Sequence, residues 1–131
     1  MPKVLLVEDH PINRKLFRDL LQIHFEVLEA ETAAAARVIL STESPDLILM
    51  DIQLPDQDGL ALTRALKADV RYAGIPIVAL SAHASDTDIA AARAAGCRDY
   101  ITKPITDDPF VFLDRLLRIA QPHCAERTPG A

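Results

Sequence analysis

Leu47-Ile48-Leu49-Met50-Asp51 is an apolar run of strand length that ends abruptly in a carboxylate. No polar residue interrupts it, as expected of a strand covered on both faces in a parallel sheet. Three further runs end, at the same relative point, in a residue that can handle phosphate or metal. Val4-Leu5-Leu6-Val7 enters Glu8-Asp9, Ile77-Val78-Ala79-Leu80 enters Ser81, and Tyr100-Ile101-Thr102 enters Lys103. If the strands are parallel, these ends meet at one sheet edge, the edge at which open α/β sheets bind ligands. Three carboxylates, a hydroxyl and a lysine gathered there describe a metal-assisted phosphoryl site.

Strand and helix signals alternate five times along the chain. Strands are predicted at 3–7, 25–29, 46–50, 75–80 and 99–102, the second being more polar and suited to a place nearer the sheet edge. The first helix opens at Pro11 and places Leu16, Phe17, Leu20 and Leu21 on one face. The second, over 32–42, follows an alanine-rich line with Val38 and Ile39 as its heavier core contacts. The third begins at Asp58-Gly59 and buries Leu62, Leu66 and Val70. The fourth, over 85–95, has only alanines and Ile89 to bury, and Gly96 is placed to end it in a left-handed cap. A helix burying so little is a candidate moving part. The fifth opens at Asp107-Asp108-Pro109 with two apolar lines, Phe110-Leu113-Leu117-Ala120 and Phe112-Leu116-Ile119. One line meets the sheet; the other is wider core or an exposed partner surface.

This alternation predicts a flavodoxin-like doubly wound (βα)5 sandwich, α/β in class, with parallel sheet order 2-1-3-4-5. In that order Glu8, Asp9 and Asp51 share the crevice at the switch point. Residues 1–120 form the one domain, and residues 121–131, polar and without periodicity, read as a flexible C-terminal tail. Of the 131 residues half are apolar and a quarter charged, ordinary for a soluble globular protein, and the net charge of −5 argues against direct DNA binding. Cys97 and Cys124 lack metal-ligand spacing and suit a reducing compartment. With no apolar run of membrane-spanning length, the expected location is the cytoplasm.

Glu8, Asp9 and Asp51 cannot sit together fully ionised without a cation, and Mg²⁺ suits such hard oxygen donors best. A carboxylate can also act as nucleophile and take a phosphoryl group as an aspartyl phosphate. Lys103 then supplies positive charge, and Ser81 a hydrogen bond to a phosphoryl oxygen. Taken singly, Lys103 could be a solvated lysine and Ser81 a helix cap. His10 reads as a solvent-facing loop residue, with an extra metal ligand as the alternative.

The stretches Val4–Asp9, Pro45–Gly59, Ile75–Ala82 and Gly96–Ile105 resemble the receiver domains of two-component response regulators. The likeness spans about residues 3–120. Within the family the chain is most similar to a stand-alone regulator of cell division, through Asn13-Arg14-Lys15-Leu16-Phe17, Pro45–Pro55, Gly96-Cys97 and Lys103-Pro104-Ile105. The resemblance implies that Asp51 accepts a phosphoryl group from a sensor histidine kinase or histidine phosphotransfer protein. It implies Mg²⁺, with Mn²⁺ able to substitute, on Glu8, Asp9, Asp51 and the main-chain carbonyl of Gln53. It further implies that Lys103 pairs with the phosphoryl group, that the Lys103–Pro104 bond is cis, and that Ser81 and Tyr100 act as the switch. Gln53 and His83 are then the positions that tune phosphoryl lifetime. The output is a downstream protein target on the face of the fourth helix, fifth strand and fifth helix, onward relay of the phosphoryl group, or a phosphorylation-dependent homodimer.

Two other readings compete. An aspartate-nucleophile phosphatase needs an acidic residue two positions after the nucleophile, where Gln53 stands and cannot serve as acid or base. A phosphorylation-independent adaptor would not need every acceptor, metal, hydroxyl and lysine position filled. The expectation is a signalling module rather than an enzyme.

Overall fold

Apolar runs with no polar face cannot lie on a surface, and here they form the middle of a sheet sealed on both sides. The computed structural model describes residues 1–127 except 84, 104, 106 and 107, with side chains through residue 120. The strands are β1 (Lys3–Val7), β2 (Glu26–Ala30), β3 (Leu47–Asp51), β4 (Ile77–Ser81) and β5 (Asp99–Thr102). All pairs are parallel and the order is β2-β1-β3-β4-β5, with the more polar β2 at an edge as its sequence predicts. The helices are α1 (Pro11–Leu21), α2 (Ala33–Leu40), α3 (Gly59–Ala68), α4 (Asp86–Ala95) and α5 (Pro109–Arg127).

The period-two alternation of strand side chains divides the core in two. Leu5, Val7, Ile48, Met50, Ile77 and Ala79 face α2, α3 and α4 through residues such as Ala36, Leu40, Leu62, Leu66 and Ala92. Val4, Leu6, Leu47, Leu49, Val78 and Leu80 face α1 and α5 through Phe17, Leu21, Phe112, Leu113 and Leu116. Register then fixes the site: Val7 pairs with Met50, so Glu8 and Asp51 leave neighbouring strands side by side. Ser81 pairs with Thr102, which sets Lys103 one step beyond it.

Several helix residues expected in the core are not there. Leu16 is 64% exposed, Val38 70%, Val70 93% and Phe110 65%. The helical stripe through Ala33, Ala36 and Leu40 carries α2 onto the sheet and turns Val38 outward, while Ile39 is half-buried. Phe17 and Leu21 do the same in α1 and leave Leu16 outside. Val70 lies past the end of α3 at Ala68, where helical spacing no longer sets its direction. In α5 the core takes Phe112, Leu113, Leu116 and Ala120, a mixture of the two predicted lines. That helix also continues to Arg127, past the expected start of the tail at Gln121, since an established helix propagates at little cost.

Two glycines are dictated by backbone. A Cβ on Gly59 would lie 2.2 Å from the Asp51 carbonyl oxygen and 2.8 Å from Ile52 Cα, neither of which can yield. Gly96 has φ 111° and caps α4 in the left-handed region, as its sequence position predicts. Gly59→Ala is therefore expected to lower the unfolding free energy by on the order of 2–4 kcal/mol, and Gly96→Ala by about 1 kcal/mol. Urea unfolding of the two variants tests this ranking; a smaller loss at Gly59 would show that its contact with the Asp51 backbone is slack.

Candidate functional site

Strand order and register deliver five predicted residues to the C-terminal edge of the sheet. Glu8, Asp51 and Ser81 are all buried, at 0%, 3% and 5% exposure, while Asp9 remains exposed. One oxygen from each of Glu8, Asp9 and Asp51 can be chosen so that all three lie within 4.8 Å of one another. Lys103 lies between the two buried carboxylates. Its Nζ donates to Glu8 Oε1 at 2.9 Å and to Asp51 Oδ2 at 3.3 Å. Its own backbone N–H donates to the Ser81 carbonyl at 2.7 Å, which fastens the lysine to β4. This is no solvated surface lysine. The expected cis bond to Pro104 lies outside the described residues.

Among the described residues no buried side-chain polar atom lacks a hydrogen-bond partner. Glu8 Oε2 accepts from the His10 N–H at 3.2 Å, and Asp51 Oδ1 accepts from the Gln53 N–H at 3.0 Å. The His10 ring caps α1, its Nδ1 accepting from the Asn13 N–H at 3.4 Å. Ser81 Oγ accepts from the His83 N–H at 3.0 Å, and the Tyr100 hydroxyl donates to the His83 carbonyl. Ser81 does not cap α4; Ser85 does, accepting from the Asp88 N–H at 3.1 Å. Ser81 and Tyr100 are thus joined through the two sides of one residue, His83.

The charges do not balance on their own. Burial, with Glu8 alongside, pushes the Asp51 carboxyl up to about 7. Burial also opposes the charge on Glu8, but hydrogen bonds with Asp51, Lys103 and the His10 N–H hold it below the usual carboxylate range. Burial works to lower Lys103, yet Glu8 and Asp51 together raise it above an ordinary lysine. One ammonium therefore serves two buried carboxylates and leaves Asp51 only partly ionised near neutrality. An oxygen-liganded dication corrects that deficit, so the donor set fits Mg²⁺.

Two contacts here have no sequence signal. An Arg14 guanidinium N–H donates to the Glu8 carbonyl at 3.4 Å while Arg14 pairs with Glu29 and Glu31. Asp56, in the loop after β3, binds the start of α2. The Arg14 pairs with Glu29 and Glu31 and the Asp56 contacts with α2 join residues far apart in the chain, which no local spacing can reveal.

Comparison with known proteins agrees with this geometry. Residues 4–112 match the family described as the response regulator receiver domain. The polar-differentiation response regulator DivK of Brucella anthropi is 42% identical over 113 residues, which cover 85% of this chain and 92% of that one. The receiver domain of a sensor histidine kinase from Pseudomonas aeruginosa, solved with a magnesium ion in its active-site cleft, is 32% identical with a TM-score of 0.76. The match covers 92% of this chain and 95% of that chain. The Vibrio cholerae chemotaxis protein CheY4 is 27% identical with a TM-score of 0.83, covering 91% of this chain and 98% of that chain.

The raised Asp51 value has a consequence for stability. A carboxyl that binds its proton more tightly when folded makes stability fall as pH rises from the unfolded value, near 4, to about 7. In chelator the protein is expected to lose on the order of 1–3 kcal/mol across that window. Mg²⁺ should abolish the loss, and Asp51→Asn should lack it. Denaturant unfolding at several pH values measures this, and a flat metal-free profile in the wild type would rule it out.

Proposed function

Because the chain belongs to the response regulator receiver domain family, we propose that Asp51 accepts a phosphoryl group from a phosphohistidine on a sensor histidine kinase or histidine phosphotransfer protein. One observation carries this reading: a buried aspartate shares a single half-buried lysine with a second buried carboxylate at the C-terminal edge of the sheet. Glu8, Asp9, Asp51 and the Gln53 carbonyl would hold Mg²⁺. Bound there, the ion offsets the negative charge that gathers as carboxylate and phosphoryl oxygens approach.

The chain's own groups supply the rest. An Asp51 carboxylate oxygen attacks phosphorus, the phosphorus–nitrogen bond of the donor breaks, and the imidazole leaves with the electron pair. Lys103 transfers its hydrogen bond from Asp51 Oδ2 to a phosphoryl oxygen. Ser81 turns its hydroxyl to the same group and so withdraws the acceptor that holds the His83 N–H. The loop carrying His83 is then released toward a new position, and Tyr100, bonded to the His83 carbonyl, moves with it. Gln53 and His83 flank the phosphoryl group and set how readily water reaches it.

The output is protein binding at the face of α4, β5 and α5, or onward relay of the phosphoryl group. Exposed Phe110 and Val111 lie on that face beside the Asp99–Arg115 and Asp114–Arg118 ion pairs. Residues 1–120 are the proposed receiver unit, with α5 running on to Arg127; residues 128–131 of the expected tail lie outside the described residues. The proposed setting is the cytoplasm; among the described residues no helix is long and apolar enough to cross a membrane.

With acetyl phosphate and Mg²⁺, the wild type is expected to gain acid-labile phosphate and Asp51→Asn none; normal labelling of that variant would falsify the assignment. Lys103→Ala is expected to keep the fold in Mg²⁺ yet lose the beryllofluoride-induced change in the Tyr100 environment, followed by NMR. An unaltered response would remove Lys103 from the switch.

A further inference from the structure

The loop from Ile52 to Asp58 is closed at its base. The Gly59 N–H donates to the Ile52 carbonyl at 2.7 Å, and Gln53 forms an antiparallel bridge with Asp58. At its tip the loop reaches sideways to another element. Asp56 Oδ1 accepts from the Ala33 N–H at 2.9 Å and Oδ2 from the Ala34 N–H at 3.1 Å. These are the first two amides of α2. The third, Ala35, donates to Thr32 Oγ1 at 3.0 Å, and Ala36 begins the helical ladder on the Thr32 carbonyl at 3.0 Å.

A helix start leaves several N–H groups without intrahelical partners, and a local side chain ordinarily takes one of them. Here Thr32 does so, and a residue 23 positions away takes two more. Both oxygens of Asp56 are engaged, so the side chain fixes direction as well as distance. The Ala33 and Ala34 amides hold its carboxyl below the usual range, which keeps it charged wherever the site operates.

We infer that Asp56 is a positioning residue for the phosphoryl site: its two-point tether to α2 fixes the loop that presents Gln53 beside Asp51. The inference rests on the reading of Glu8, Asp9, Asp51 and Gln53 as a cation site. With the tether cut, the loop is held only by the Gln53–Asp58 bridge and the Gly59–Ile52 bond, and the Gln53 carbonyl loses the restraint that the tip passes to it through that base. Thr32 provides the control, because its hydroxyl caps the same helix through the Ala35 N–H.

Mg²⁺ titration of the full chain, followed by the amide NMR shifts of Gly59 and Ser81, tests the tether. Asp56→Ala is expected to weaken Mg²⁺ about tenfold, as loss of a residue supporting a metal ligand does. Asp56→Asn, which retains one acceptor oxygen, should weaken it less, and Thr32→Ala should leave it unchanged. Wild-type affinity in Asp56→Ala overturns the inference, and so does equal weakening by Thr32→Ala, which would reduce Asp56 to a helix cap. If the wild type itself shows no saturable Mg²⁺ binding, the cation-site reading fails, and amide hydrogen exchange decides the tether. Gln53 and Gly59 should lose protection in Asp56→Ala but not in Thr32→Ala; unchanged exchange in Asp56→Ala overturns it.

Discussion

The Lys103 ammonium, held between Glu8 and Asp51, is the contact on which the rest of the site depends. It joins residues separated by 95 and 52 positions, so β1, β3, β4 and β5 must all be in place to form it. Buried charges persist only when paired, and one lysine for two carboxylates leaves the group one positive charge short. That shortage gives the site its chemistry. It keeps Asp51 only partly ionised without a cation, makes a dication welcome, and is the ground on which Lys103 is proposed to follow a phosphoryl oxygen.

The sheet reaches this arrangement by order and register alone. Parallel strands place their C-terminal ends on one edge, and the order β2-β1-β3-β4-β5 makes neighbours of β1 and β3. Glu8 and Asp51 are adjacent for that reason. The same pairing carries the effect sideways, because Lys103 is bonded to β4 through the Ser81 carbonyl, and Ser81 is joined to Tyr100 through His83. Site and outer face are connected by ordinary hydrogen bonds within a few residues of the sheet edge.

Strand identity, strand order and the acidic cluster were legible because each follows from one-dimensional pattern. An uninterrupted apolar run such as Leu47–Met50 admits few other readings, and a charged residue at its end is conspicuous. Helix faces were harder to read. Val38 and Leu16 have the right chemistry for a core but the wrong angle, and in α2 the angle is chosen by Ala33 and Ala36, whose small size lets the helix lie close. The contact of Asp56 with α2 was illegible for a different reason. An aspartate two residues before Asp58-Gly59 looks like turn chemistry, and nothing local reveals that it reaches α2.

The two helices nearest these loops are closed in opposite manners. Ser85 and Gly96 finish α4 from within its own chain, and of its residues only Ala92 and Ala95 are buried. Its ends would stay satisfied wherever the helix went, so it can shift as a rigid lever without unravelling. Two of the first three amides of α2, by contrast, are satisfied by Asp56, and α2 cannot leave its place without breaking that closure. Where each helix obtains its cap divides the layer into one part tied to the loop after β3 and one closed by its own neighbours, and the second follows the strand that ends in Ser81.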